Sequence, residues 1–185
     1  MTLLGRFLRG EAGGSTSPPG ATERETETIR RIVGSLEAMP PERAAYVAGF
    51  AYVLARVAYA DLHISEQETA EMERIVADFG GLPEPLAVLV VEIAKTQARL
   101  EGATEDYLVT RRFREVSSAE QRERVLHCLY AVASAAGDTV SAEETAEIRQ
   151  IASELGFTLP ELNVIRRHYA DRLAALQRRP AGDTA

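Results

Sequence analysis

Six carboxylates stand out by type and spacing: Asp61, Glu68 and Glu71, and again Asp138, Glu144 and Glu147. A hard divalent cation such as Ca2+, Mg2+ or Mn2+ needs several carboxylate or carbonyl oxygens converging within about 2.0–2.6 Å. Asp61 falls at the end of one expected helix, while Glu68 and Glu71 lie one turn apart at the start of the next. A tight junction between the two helices would therefore bring three carboxylates to one corner, and the second set repeats the arrangement. Helix capping competes with this reading. Ser65/Glu68 and Ser141/Glu144 are capping boxes, in which each side chain satisfies a free backbone N–H at a helix start. Acidic residues there are also favoured by the helix dipole, by about 0.3–1 kcal/mol, with no metal present. Capping accounts for Glu68 and Glu144. Asp61, Glu71, Asp138 and Glu147 remain for a cation or for a solvated acidic face.

The other polar candidates carry less. His63 would add a nitrogen ligand suited to zinc, but no second His or Cys clusters with it in sequence, so it reads as a loop residue. His127 and Cys128 are adjacent on an expected helix and point about 100° apart, so they cannot share one ligand. Cys128 reads as a small buried side chain, and His168, beside Arg166 and Arg167, as surface. P-loop, GxGxxG, HExxH, GxSxG and CxxC patterns are all absent, and Tyr46, Tyr52, Tyr59, Tyr130 and Tyr169 are spaced as packing residues. No catalytic residue and no enzymatic activity are expected.

The elements that must position these residues are helices. Capping pairs recur at Thr22/Glu25, Ser65/Glu68, Ser118/Gln121, Ser141/Glu144 and Thr158/Glu161. Pro41 and Pro83 sit where a first-turn proline is harmless, and Gly80 and Gly156 where a left-handed cap is wanted. These marks predict helices at about 22–39, 41–61, 65–79, 83–101, 104–116, 118–136, 141–155 and 159–178. No strand pattern intervenes, so the fold class is all-α. The phrase ADLHISEQETAEMERI, residues 60–75, returns as AGDTVSAEETAEIRQI, residues 136–151. Before each phrase comes an alanine-rich apolar helix, and after each a Leu-Pro-Glu helix start. This internal duplication predicts a single-domain bundle of about eight helices, built from two pseudo-symmetric three-helix repeats with the apolar helices packed centrally.

Composition bounds the rest. The 185 residues, 45% hydrophobic and 26% charged, make an ordinary globular chain, and the formal charge of -7 disfavours nucleic acid as a partner. A single cysteine rules out an internal disulfide and suits a reducing compartment, so a cytoplasmic location is expected. GEAGGSTSPPG, residues 10–20, has linker composition and separates residues 1–9, where Leu3, Leu4, Phe7 and Leu8 form an amphipathic face, from the body. The domains read as 1–21 (amphipathic segment and linker), 22–179 (helical domain) and 180–185 (tail).

With the paired phrases in view, the chain resembles the tellurite-resistance TerB-like family. That family is similar in being all-helical, in having two repeats and in a recurring phrase Ala-x-Ala-Asp-Gly-x-Ile/Val-x-x-x-Glu. The copies here run from Ala58 to Glu68 and from Ser134 to Glu144, with Asp61-Leu62 and Gly137-Asp138 where the family writes Asp-Gly. The resemblance covers roughly residues 43–169. It implies a non-enzymatic, stress-associated module that binds a divalent metal ion or a basic partner through acidic residues. A rival expectation is a metal-independent scaffold that meets a protein partner, or weakly a membrane surface, through residues 1–9.

Overall fold

The computed structural model describes residues 23–58, 66–100, 106–135 and 139–173. The amphipathic segment, its linker and the 180–185 tail lie outside the described residues, as do Asp61, His63 and Asp138. Within the described residues the chain forms eight α-helices: α1 (Glu23–Glu37), α2 (Pro41–Ala58), α3 (Glu66–Gly80), α4 (Glu84–Leu100), α5 (Asp106–Val116), α6 (Ala119–Ala135), α7 (Ala142–Glu154) and α8 (Leu159–Arg167). A 3-10 turn, Ala170–Arg172, follows. The fold is all-α.

Helix α2 is apolar on nearly every side, from Ala44 to Val57, and a helix of that kind is stable only when surrounded. It is surrounded, touching α1, α4, α5, α6 and α7. Small residues set how closely these neighbours approach. A Cβ on Gly49 would come within 2.6 Å of Phe113, so α5 crosses α2 on the bare backbone at that point. The other apolar helix, α6, buries Val125, Leu126, Leu129, Tyr130 and Val132. It packs against α2 and along α3, while α2 packs on α7, so the apolar helix of each half contacts the capped helix of the other. Helix α4 lies along α2 and α3, and the shorter α8 rests on α6 and α7. Each fully buried Leu or Phe in this core is worth about 1.5–3 kcal/mol.

Two expected boundaries change. Gly80 is still helical and has no positive φ; Gly81 takes the left-handed position at φ 65°, as Gly156 does at φ 89°. Gly80 is small for another reason, since a Cβ there would meet the Phe50 ring at 2.8 Å. At Gly156 the cap is a Schellman motif, with Phe157 N–H bonded to the Ala152 carbonyl (2.9 Å) and Gly156 N–H to that of Ser153 (3.0 Å). The last helix, expected to reach residue 178, ends at Arg167. There the chain turns so that Tyr169 stacks on Tyr130, with ring centroids 5.2 Å apart, and buried Leu173 forms a parallel bridge with Val140. A straight continuation of α8 would forgo both contacts. No helix among the described residues is long and apolar enough to cross a membrane.

Candidate functional site

Of the six expected ligands, Glu68, Glu71, Glu144 and Glu147 are described, and they do not behave alike. Helix α3 carries Glu68, exposed in its first turn, and Glu71 one turn later. Glu71 accepts two hydrogen bonds from Arg74 of its own helix, from Nη2 at 2.6 Å and Nε at 3.1 Å, and Arg74 reaches on to Asp78 at 3.1 Å. These bonds hold the Glu71 carboxyl below the usual carboxylate range. The Glu71 side chain is nevertheless 45% exposed and its arginine 60%.

On α7 the sequence repeats and the side chains diverge. Glu144 completes the capping box: its Oε2 accepts the Ser141 backbone N–H at 2.8 Å, and the Ser141 hydroxyl oxygen accepts the Glu144 N–H at 3.1 Å. Glu147 turns inward and accepts from Arg56 Nε at 2.6 Å. Glu154, two turns further along α7, accepts from Arg56 Nη1 at 2.7 Å and from Gln150 at 3.1 Å. The same Nη1 donates to the hydroxyl of buried Thr110 on α5 at 3.0 Å. The Arg56 side chain is 7% exposed, with Glu154 at 11% and Glu147 at 31%. Burial alone would lower the Arg56 pKa, but the hydrogen bonds it donates to Glu154 and Glu147 raise it, so the guanidinium stays charged inside the bundle.

The two halves thus solve one problem in two ways. Glu71 and Asp78 stand where Glu147 and Glu154 stand in the repeat, two turns apart on one face, and each pair is bridged by an arginine. In the first half that arginine is Arg74, exposed and on the same helix. In the second, Gln150 occupies the equivalent place and the charge comes from Arg56 on α2. Sequence reasoning noted Arg56 only as an interruption of an apolar run. A lone charge in a helix buried all round was the signal that a buried partner must exist.

The arrangement brings together one further pair that sequence reasoning kept apart. His127 on α6 and His168 at the end of α8 have ring centroids 5.5 Å apart. Cys128, next to His127, is fully buried as expected, and burial pushes its thiol pKa up. Among the described residues no group of three or more His, Cys, Asp or Glu side chains is gathered as for a metal ion.

A family model described as tellurite resistance protein TerB matches residues 47–167. The chain belongs to the TerB family. The TerB match runs from within α2 to the end of α8, so both carboxylate pairs and Arg56 lie inside it. Helix α1 precedes the TerB region and His168 follows it. No curated protein and no solved structure matches the chain significantly.

Proposed function

We propose that this TerB-family chain is a non-enzymatic, stress-associated binding module whose first helix junction, between α2 and α3, takes a divalent cation on Asp61, Glu68 and Glu71. The observation that carries this reading is the contrast between Glu71 and Glu147. Glu147 is committed to a buried guanidinium that cannot leave without stranding charge, so a metal does not fit there. Glu71 is held by a solvent-exposed arginine, an interaction worth little against a hard cation. A carboxylate kept below its usual pKa range is also already ionised, which Ca2+, Mg2+ and Mn2+ require of their ligands. Since Glu71 already accepts a guanidinium, an arginine of a basic protein partner suits the same junction. Cytoplasmic placement is part of the proposal and rests on the single, buried cysteine.

The test is thermal unfolding of the full chain with Ca2+, Mg2+ or Mn2+, alongside Glu71→Gln. An ion-specific upward shift in Tm for the native chain that is reduced in the variant is expected, because an ion bound only by the folded state stabilises it by mass action. No shift with any ion, or an equal shift in Glu71→Gln, contradicts the reading.

A further inference from the structure

The His127–His168 pair fits neither the core nor the acidic junctions. His127 is half-buried, His168 is exposed, and their rings meet at 70° with centroids 5.5 Å apart. The hydrogen bonds around them fix which nitrogens carry protons. Nδ1 of His168 faces the carbonyl oxygens of Val164 and Ile165, both at 3.2 Å, and can only donate to them. The Tyr169 hydroxyl gives its proton to the His127 carbonyl oxygen at 2.9 Å, so at 3.3 Å from that hydroxyl Nδ1 of His127 must act as donor. Each neutral ring therefore leaves its Nε2 lone pair unprotonated. An imidazole whose Nδ1–H is held by a backbone carbonyl or a hydroxyl, with Nε2 open, is the supported form of a histidine metal ligand.

The separation agrees. With a Zn–N bond of about 2.1 Å and the ring centre about 1.2 Å beyond the nitrogen, two imidazoles on one tetrahedral ion have centroids about 5.4 Å apart, close to the 5.5 Å here, a spacing that edge-to-face ring packing also gives. Nearby charges pull in both directions: the Glu123 carboxylate, one turn before His127 on α6, favours a cation, while Arg166 and Arg167 beside His168 oppose it. We propose that His127 and His168 form a binding site for a borderline transition-metal cation, zinc foremost, held through both Nε2 atoms and completed by water. Imidazole suits Zn2+, Ni2+ and Cu2+ and is a poor ligand for the hard ions favoured by carboxylates, so this site is separate from the α2–α3 junction in both residues and ion class.

Calorimetric titration of the full chain with zinc chloride near neutral pH tests the site, with histidine side-chain 15N spectra to identify the liganded nitrogens. One equivalent of zinc is expected to bind, shifting Nε2 of both residues, and to be released by excess chelator. His168→Ala, which alters an exposed side chain, is expected to weaken binding by at least about tenfold, or about 1.4 kcal/mol. His127→Gln should do the same, whereas His63→Ala should leave zinc binding intact. Absence of binding, full affinity in His168→Ala, or loss in His63→Ala with His168→Ala unaffected overturns the assignment. Survival of the manganese or calcium response in His168→Ala separates this result from failure of the junction reading.

Discussion

Arg56 carries a positive charge into the interior near the end of α2, where Glu147 and Glu154 compensate it. Burying an ion pair is often no better than burying apolar groups of the same volume, but breaking one leaves a charge stranded. Arg56→Met should therefore destabilise the fold by about 3 kcal/mol, near the lower limit for a broken buried pair because Glu147 keeps some solvent. The triple change Arg56→Met, Glu147→Leu, Glu154→Leu should recover most of that loss in urea unfolding. An Arg56→Met protein as stable as the native chain would show that the network contributes nothing. Two pH windows separate the titrating groups. Burial raises the Glu154 pKa, but the hydrogen bonds from Arg56 and Gln150 outweigh it and the carboxyl lies below its usual range. Its contribution is therefore present above the unfolded carboxylate value and is lost as pH falls through the folded one. His127 is shifted down by burial and by positive charge on His168. Here the charged form is disfavoured by folding, so stability is full above about pH 6.5 and declines as pH falls toward the folded value. With a chelator present, His127→Gln should flatten the fall of the urea midpoint that begins below about pH 6.5, and Arg56→Met should flatten only the more acidic limb.

At the scale of elements, close approach and capping decide the geometry. Gly49 and Gly34 are both helical glycines, and replacing glycine by alanine in a helix ordinarily gains about 0.5–1 kcal/mol. Gly34→Ala on α1 should show that gain, because nothing lies within 4 Å of the added methyl group. Gly49→Ala should instead destabilise by about 1–3 kcal/mol, because the methyl group would press on Phe113 across the α2–α5 crossing. Unfolding midpoints of the two variants moving the same way would contradict this packing. The helices themselves were legible because capping serines, prolines and apolar periodicity act over a few residues. Ser141/Glu144 forms the expected box down to both hydrogen bonds. The boundary that moved by one residue, Gly80 to Gly81, did so because two adjacent glycines look alike in sequence; in the fold the Phe50 ring requires the first and the left-handed cap the second. The end of α8 was invisible for a related reason: what stops it, Tyr169 on Tyr130 and Leu173 beside Val140, are contacts between distant parts of the chain.

For the whole molecule, the phrase that recurs at residues 60–75 and 136–151 made the helices readable and the sites harder to read. Repeating a helical unit repeats its core pattern, and an all-α TerB architecture follows from that pattern without knowledge of any partner side chain. Repetition also suggests that equal positions do equal work, and at Glu71 and Glu147 they do not. The difference comes from Arg56, which lies outside both acidic phrases and belongs to the first half, so neither phrase read alone contains it. His168 is exposed, as its sequence setting suggested, but its contact with His127 was not legible, because the two are far apart in sequence and meet only once α8 settles against α6. On the proposed function the repeated corners have separated, the first exchanging an exposed arginine for a cation and the second locked by the buried Arg56 guanidinium. Paramagnetic broadening by Mn2+ in the 1H–15N spectrum of the full chain tests it most directly. Signal is expected to be lost around Glu66 to Glu71 at the start of α3, with the Ser141 to Glu147 amides left sharp; equal broadening at both corners, or at neither, overturns that reading.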